Sequence, residues 1–467
     1  MRFNLLVVLL CALGIGSSVC AAPKTYERDI FQRDVMREQM NKMDWILDKN
    51  QPGGFDQPCG WTCRINVSGW INVDAYLGNS PPVFLALNPI TDIFAPVTLA
   101  AFPILLPTSG RASDLLLNNA NLFVDARVNN WVTANISLVY SSITGIRGSQ
   151  GPYAVPNSLF VYHPVNTSVS TRAIDTAYAT LGNLQVSPIY FRIGKEYVPF
   201  DRYDPYSFVT SENPTQLFTE INAATAQLGF IINGFYGSLY TFAGNPKLSD
   251  GGSTRRIQNG GANLGYGYYG FNKRFNIDAG YIANITDSNF LSAYYTNPII
   301  ELSASLLSGL PDQKAPAYNI NAEVQFGPFD ASGHYVATTR DFRKPVLLAT
   351  PIVLPASIIP GLTFKKPKLW GVEVGVTFPV IAHQSRLALG YQRTTQLGGI
   401  LPNQRFYIDY MLNLAKWFDL GIAVFQDRDF SLDEDRVILG QISRITIAQS
   451  TGGKATVGQL RASIKFA

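Results

Sequence analysis

The chain carries few of the side chains that group-transfer chemistry draws on. It holds three histidines, His163, His334 and His383, in 467 residues, and histidine is the commonest general acid or base. Of these only His334 falls on a face that strand phase turns inward, where it reads as a polar lining residue. Gly265-Tyr266-Gly267-Tyr268-Tyr269-Gly270 fits G-x-G-x-x-G. That motif cradles a pyrophosphate only where it follows a strand and opens a helix, and here it lies within a Tyr/Gly-rich strand and its turn. Gly194-Lys195 is followed by Glu196 rather than Ser or Thr, and it lacks the earlier glycine of a phosphate loop. No metal-ligand cluster or paired-carboxylate motif stands out. The reading is no catalytic residue, no metal, no cofactor and no enzyme, with a barrel-embedded hydrolase as the enzymatic alternative.

The chain does offer charge spaced by two. Inward strand phases collect Asp74, Asp125, Asp278, Glu323, Asp330, Glu373, Asp409 and Asp419 with Arg127, Arg192, Arg386, Arg405, Arg461 and Lys465. Such groups set the field that a permeating ion crosses. They also pair across a wall and hold its shape, and the sequence leaves both roles open.

The elements that would position these residues are strands. Thr456, Gly458, Leu460, Ala462, Ile464 and Phe466 alternate with Val457, Gln459, Arg461, Ser463 and Lys465. Tyr318–Phe326, Trp370–Phe378 and Phe406–Leu414 follow the same rule. Strict alternation over nine to eleven residues matches a tilted strand crossing a bilayer, whereas strands in soluble domains average about 5–6 residues. Sixteen strands are expected, at 65–77, 121–128, 131–140, 172–181, 189–198, 224–232, 235–243, 260–269, 275–285, 317–326, 329–339, 369–378, 386–394, 405–414, 418–426 and 455–466. Short connections such as Asn233-Gly234 and Gly327-Pro328 alternate with long ones such as Gly78–Ala120 and Arg340–Lys368. Short turns on one side and long loops on the other mark an outer-membrane barrel. An even strand number places both termini on the periplasmic side. Trp131, Phe271, Phe275, Phe326, Phe329, Phe378, Trp417, Phe418 and Phe466 lie beside short turns or the chain end, as an interfacial girdle would.

The expected fold class is therefore an all-β transmembrane antiparallel barrel of about sixteen strands with a short N-terminal periplasmic helix. Residues 1–22 read as a signal peptide: Arg2, an apolar run Leu5–Gly16, then small residues up to Ala22. Residues 23–54 are a helical segment and linker, and 55–467 the barrel. Lys24–Asn50 is charge-dense, free of Gly and Pro, and spaces Met36, Met40, Met43 and Leu47 as one helical stripe. It packs on or inside the rest of the molecule, oligomerises, or stays disordered. Export to an oxidising compartment favours a small-loop disulfide between Cys59 and Cys63. Composition agrees: 46% hydrophobic but only 15% charged, against about 25% charged in soluble domains. A net charge of +4 is too small and evenly spread to imply nucleic acid as a partner.

The chain resembles Gram-negative outer-membrane porins. It is more closely similar to the uncharacterised porin-like outer-membrane proteins of Legionella- and Coxiella-type bacteria. The likeness rests on the hairpin Leu122–Ala134 and the stretch Ile189–Phe200, with the signal peptide, alternating strands and aromatic-ended last strand. It implies outer-membrane lipid and lipopolysaccharide, the barrel-assembly machinery and small hydrophilic solutes as partners, and a homotrimer. The terminal aromatic sits one place early, at Phe466 before Ala467. In porins the third long loop folds inward as a constriction, which makes Asp201, Arg202 and Asp204 the corresponding candidates here.

The function expected is passive diffusion of ions and small hydrophilic solutes, with mild cation preference from the carboxylate excess. The alternatives are a fourteen-stranded plugged transporter of hydrophobic compounds with Lys24–Asn50 as its hatch, and a surface adhesin or structural barrel.

Overall fold

A computed structural model describes the backbone of residues 65–79, 83–86, 103–106, 111–129, 131–140, 174–184, 186–201, 214–244, 257–270, 273–289, 291, 314–343, 363–381, 383–397, 401–415, 417–428 and 454–466. The signal peptide, the Lys24–Asn50 helix, Cys59, Cys63, His163, Arg202 and Asp204 lie outside the described residues.

Sixteen strands form the wall. They are β1 (Ile65–Asn79), β2 (Arg111–Arg127), β3 (Val132–Tyr140), β4 (Ile174–Leu181), β5 (Ile189–Tyr197), β6 (Asn222–Ile232), β7 (Phe235–Ala243) and β8 (Ile257–Gly270). The second half holds β9 (Lys273–Ile282), β10 (Ala317–Phe326), β11 (Phe329–Thr338), β12 (Lys368–Val380), β13 (His383–Thr395), β14 (Gln404–Ala415), β15 (Phe418–Arg428) and β16 (Lys454–Phe466). Each strand pairs antiparallel with the next, and β1 pairs with β16 to close the barrel. Closure leaves no open edge, which lipid requires because it offers backbone groups no hydrogen-bond partner. Two short two-stranded sheets, Val83–Ala86 with Pro103–Leu106 and Phe342–Arg343 with Thr363–Phe364, lie in the long loops.

Alternation sorts the side chains as the sequence required. On β10, Tyr318, Ile320, Val324 and Phe326 are exposed outward, while Asn319, Asn321 and Glu323 are buried on the inner face. Val372 and Val374 on β12, Ile422 and Val424 on β15, and Leu460 and Ile464 on β16 continue the apolar outer surface. Trp131, Phe275, Phe326, Phe329, Trp417 and Phe466 are exposed near the short-turn ends, where an amphipathic or aromatic ring is most stable at the interface. Asn233 (φ 49°) and Gly234 (φ 85°) form the tight turn between β6 and β7, since both positions of such a hairpin need positive φ.

Many boundaries shift by one to three residues, and two shifts have a clear local cause. β2 begins at Arg111, ten residues before position 121, because its pairing with β1 continues through a bulge: Asn72 faces Asn119 while Val73 faces Leu117. The extra residue breaks the period-two pattern that marks a strand. β9 ends at Ile282 rather than 285. There the Asn284 side chain accepts from Thr286 N, Thr286 Oγ1 and Ala315 N, and so caps a short 3-10 turn, Ile285–Asp287.

Inside the wall, tyrosines lie over glycines of the neighbouring strand. Tyr190 covers Gly229, Tyr236 covers Gly265 and Tyr407 covers Gly390, each pair directly opposed in register. A ring laid over a missing side chain fills the gap and pins the register. The Gly265 of the apparent nucleotide motif is one of these packing sites within β8, not a phosphate cradle.

Candidate permeation site: the barrel lumen

From β11 round to β1 the inner wall is built of ion pairs. The Arg386 guanidinium donates to both Asp330 oxygens at 3.1 and 2.6 Å and to Glu373 at 2.8 Å. Tyr407 donates to the other Glu373 oxygen at 2.7 Å. Arg405 makes a two-pronged contact with Asp427 at 2.7 Å on each arm. Arg461 Nε reaches Asp74 Oδ1 at 2.6 Å, and Asp74 also accepts from Tyr76 and Gln459 at 3.0 Å. Lys465 pairs with Asp419 at 2.6 Å, and Asn413 donates to the same carboxylate. Fork-on-fork geometry of this kind gives each guanidinium two parallel bonds and a fixed orientation.

These contacts link residues on neighbouring or next-neighbouring strands, so the charges staple the wall circumferentially. Of the sequence candidates, Asp74, Asp330, Glu373, Arg386, Arg405, Arg461 and Lys465 are joined in such pairs. Asp409 lies buried on the same inward face of β14. Arg127 ends β2, and its side chain lies outside the described residues.

The β3–β8 sector is different. It presents Asn135, Ser137, Thr176, Gln227, Ser238 and Asn263, all buried on the inner face. Asn135 Nδ2 donates to Asp125 at 2.6 Å and its Oδ1 accepts from Thr176, which in turn meets Ser137 at 2.7 Å. An ion pair in this sector joins Arg192 to Glu196, 3.1 Å apart, with the guanidinium 4.7 Å from the centre of the Tyr178 ring. Farther round, on β9 and β10, Asp278 accepts from Asn321 at 3.1 Å and Glu323 is buried nearby on the same inner face.

At the loop-side end an apolar cluster packs against one part of the inner wall. The third long connection is tied at its base, where Val198 N donates to Ile221 O at 2.9 Å, and it carries a short helix, α1 (Pro214–Thr219), that is buried along most of its length. Leu217 and Phe218 of α1 pack with Val198, Phe200 and Ile221 against Tyr240 and Phe242 of β7, Ile282 of β9, Val336 of β11 and Leu369 of β12. Those wall residues point inward, so the third connection reaches into the bore. Thr215 of α1 hydrogen-bonds His334 Nε2 on β11, which is how the inward histidine is used. Asp201 is buried at the start of this connection.

Several wall residues escaped the sequence reading. Asp427 lies one residue past the expected end of the strand at 426, although its phase matches Asp419. Glu196 sits four residues after Arg192, on the same inner face of β5, and that spacing alone could have flagged it. The Thr215–His334 contact had no local signal, because it joins residues far apart in sequence. The apolar cluster had none either: inward faces read as Asn, Ser, Gly and charge, whereas Tyr240, Phe242, Ile282, Val336 and Leu369 make the loop-side end apolar. The sixteen strands also remove the fourteen-stranded form of the transporter alternative. Among the described residues no group of three or more His, Cys, Asp or Glu side chains is arranged to hold a metal ion.

No protein-family model matches the chain. It is 24% identical over 331 residues to a UPF0422 protein of Legionella pneumophila strain Philadelphia 1, covering 69% of this chain and 56% of that protein. A UPF0422 protein of Coxiella burnetii is 23% identical over 289 residues, covering 60% of this chain and 56% of its own length. The chain thus spans about half the length of the curated relatives it matches. Both relatives come from the bacterial groups that the sequence resemblance pointed to. Among solved structures it is similar to an anion-selective porin from Comamonas acidovorans (TM-score 0.45, 11% identity, 86% of this chain and 99% of that one). Pseudomonas putida OprB gives a TM-score of 0.47 at 10% identity, covering 86% of this chain and 94% of that one. The closed sixteen-stranded wall with its apolar outer face makes this a porin-like outer-membrane barrel.

Proposed function

We propose that the barrel is a passive channel for ions and small hydrophilic solutes, with a mild preference for cations. The observation that carries this reading is the inner wall itself: a closed sixteen-stranded sheet whose inward face carries charged, amide, hydroxyl and tyrosine side chains on every side of the ring, with apolar residues such as Met411, Phe425 and Val457 among them. A barrel of this size leaves room for an aqueous path, and a polar wall lets a hydrated solute keep its hydrogen bonds. The cation preference follows from charge balance, since one guanidinium, Arg386, serves both Asp330 and Glu373. The third connection, with Asp201, Arg202 and Asp204 at its start and α1 at its end, forms the constriction. Contact with lipid and lipopolysaccharide at the outer face, insertion by the barrel-assembly machinery and assembly as a homotrimer belong to the same proposal.

The purified protein, reconstituted into planar bilayers, is expected to give stepwise conductance with a reversal potential displaced toward the cation's equilibrium value. A silent barrel at every applied voltage sinks the channel reading, and a displacement toward the anion sinks the selectivity.

A second reading has one observation in its favour. The apolar cluster at the loop-side mouth offers a surface that a hydrophobic compound would find congenial. Its members are buried against one another, however, so the cluster is close-packed and presents no vacant pocket among the described residues. Uptake of a hydrophobic dye by liposomes carrying the barrel, in the absence of ion conductance, would favour that reading.

A further inference from the structure

The outer wall has an uneven rim on the loop side. Across β13–β16 four outward positions fall in one register row: Arg393 faces Gln404, Gln404 faces Arg428, and Arg428 faces Lys454. They share the phase of Leu389, Phe406, Val424 and Leu460, which are exposed on the apolar outer surface. Arg393, Arg428 and Lys454 are exposed as well. The carboxylates on these strands, Asp409, Asp419 and Asp427, are all buried on the inner face, so none of them shares the row. At the loop-side ends of β6–β10 the outward residues are Ala224, Ala243, Ile257, Tyr281 and Tyr318, exposed and uncharged. Positive charge is thus gathered on one sector of the rim.

The pairing within the row points to an anion. Arg428 and Lys454 are directly opposed on adjacent strands, and adjacent strands lie only about 4.8 Å apart. Like charges so placed repel, and an anion seated between them converts the repulsion into attraction. Guanidinium and ammonium groups both bind phosphate, the first through a planar fork and the second as a point charge.

Depth and grading say what carries that phosphate. β16 runs thirteen residues from Lys454 to Phe466, and Phe466 marks the short-turn interface. At ~3.3 Å per residue and a tilt of about 40° the strand rises about 30 Å, against an apolar band of about 25 Å. The cationic row therefore stands at headgroup level. Beneath it, in register, lie Tyr391, Phe406, Gln426 and Thr456. Gln426 Nε2 donates to Thr456 Oγ1 at 3.1 Å, and the Tyr391 ring lies 5.3 Å from that of Trp370, as aromatics gather at an interface. The next row down is apolar: Leu389, Ile408, Val424 and Gly458. Gly458 stands between the exposed Val424 and Leu77, and its missing side chain leaves a furrow there.

We propose that this strip binds a phosphorylated lipid of the outer leaflet, its headgroup on Arg393, Arg428 and Lys454 and an acyl chain along the furrow at Gly458. The apolar row under the charge favours a lipid over free phosphate. The inference rests on the lipid contact proposed above and narrows it to one sector; it does not depend on conductance.

Native mass spectrometry of the purified full chain in nonionic detergent, with diphosphoryl lipid A as the probe, tests it. Arg428→Gln with Lys454→Gln is expected to weaken binding about tenfold or more, since two charge-assisted contacts are lost. A charge-matched control, Lys195→Gln on β5 with Lys273→Gln at the short-turn end of β9, is expected to change it less than about twofold, distant charges being screened. Equal losses in the two variants, or no binding by the unaltered chain, overturn the proposal. Dephosphorylated lipid A bound as tightly as the diphosphoryl form also overturns it. Displacement of the lipid by millimolar inorganic phosphate overturns the lipid assignment in favour of a bare phosphate site. If the double variant does not fold, Arg393→Gln and Arg393→Lys are compared. Weaker binding in the first with retention in the second supports the proposal, and unchanged binding in both overturns it. A chain that binds lipid A at this strip yet never conducts sinks the channel reading and leaves the lipid site standing.

Discussion

The two sides of the inner wall solve one problem by different means. From β11 to β1 the wall is held by guanidinium–carboxylate forks: Arg386 with Asp330 and Glu373, Arg405 with Asp427, Arg461 with Asp74. From β3 to β8 it is held mainly by neutral groups, with Asn135, Ser137 and Thr176 in one chain of hydrogen bonds and Ser238 bonded to Asn263. Desolvation separates the two. A buried charge stripped of its partner costs several kcal/mol, while a neutral amide in the same position costs far less. The charged side is therefore strongly interdependent, and the neutral side tolerates loss of a single member.

The largest expected effect is on the charged side. Arg461→Ala leaves Asp74 buried beside Gln459 and Tyr76, and should destabilise the barrel by about 3–5 kcal/mol. The loss would be read as a fall in the urea midpoint of the refolded protein in lipid vesicles. A midpoint unchanged within error would erase the contrast between the two sides. Removing both charges sharpens it: Asp74→Leu with Arg461→Met should recover most of that loss, since an apolar pair of similar volume often replaces a buried ion pair at little cost. If the double variant is as unstable as the single one, the pair matters for more than mutual neutralisation.

The smallest effect is expected on the neutral side. Asn135→Ala removes a donor to Asp125 and an acceptor from Thr176, and should cost about 1–3 kcal/mol. Thermal loss of the folded, heat-modifiable band on a gel would rank it against Arg461→Ala. An equal or larger shift for Asn135→Ala would reverse the proposed order.

Much of this was legible in the residues. Alternation placed Asp74, Arg386, Arg405 and Arg461 on the inner face, because a strand's side chains take opposite faces in turn and lipid tolerates only one kind on its side. Phe326, Phe329 and Trp417 marked the turn-side interface for the same reason. The start of β2 was hidden, since the pairing skips Asn118 in a bulge and the period of two fails between Leu117 and Asn119.

The sequence by itself pointed to about sixteen strands, to which residues of each face inward and to the side on which loops are long, while the closed ring settled sixteen over fourteen. Those readings follow from a local rule, the two-residue repeat, applied strand by strand. Only the tertiary structure decided which charge meets which. Asp74 and Arg461 stand at opposite ends of the chain and become neighbours when β1 closes on β16. It also decided that α1 turns into the bore, where Thr215 meets His334 and Phe218 meets the inner wall. Closure brings distant residues within a few ångströms of one another, and no local pattern encodes a contact that exists only once the ring is shut.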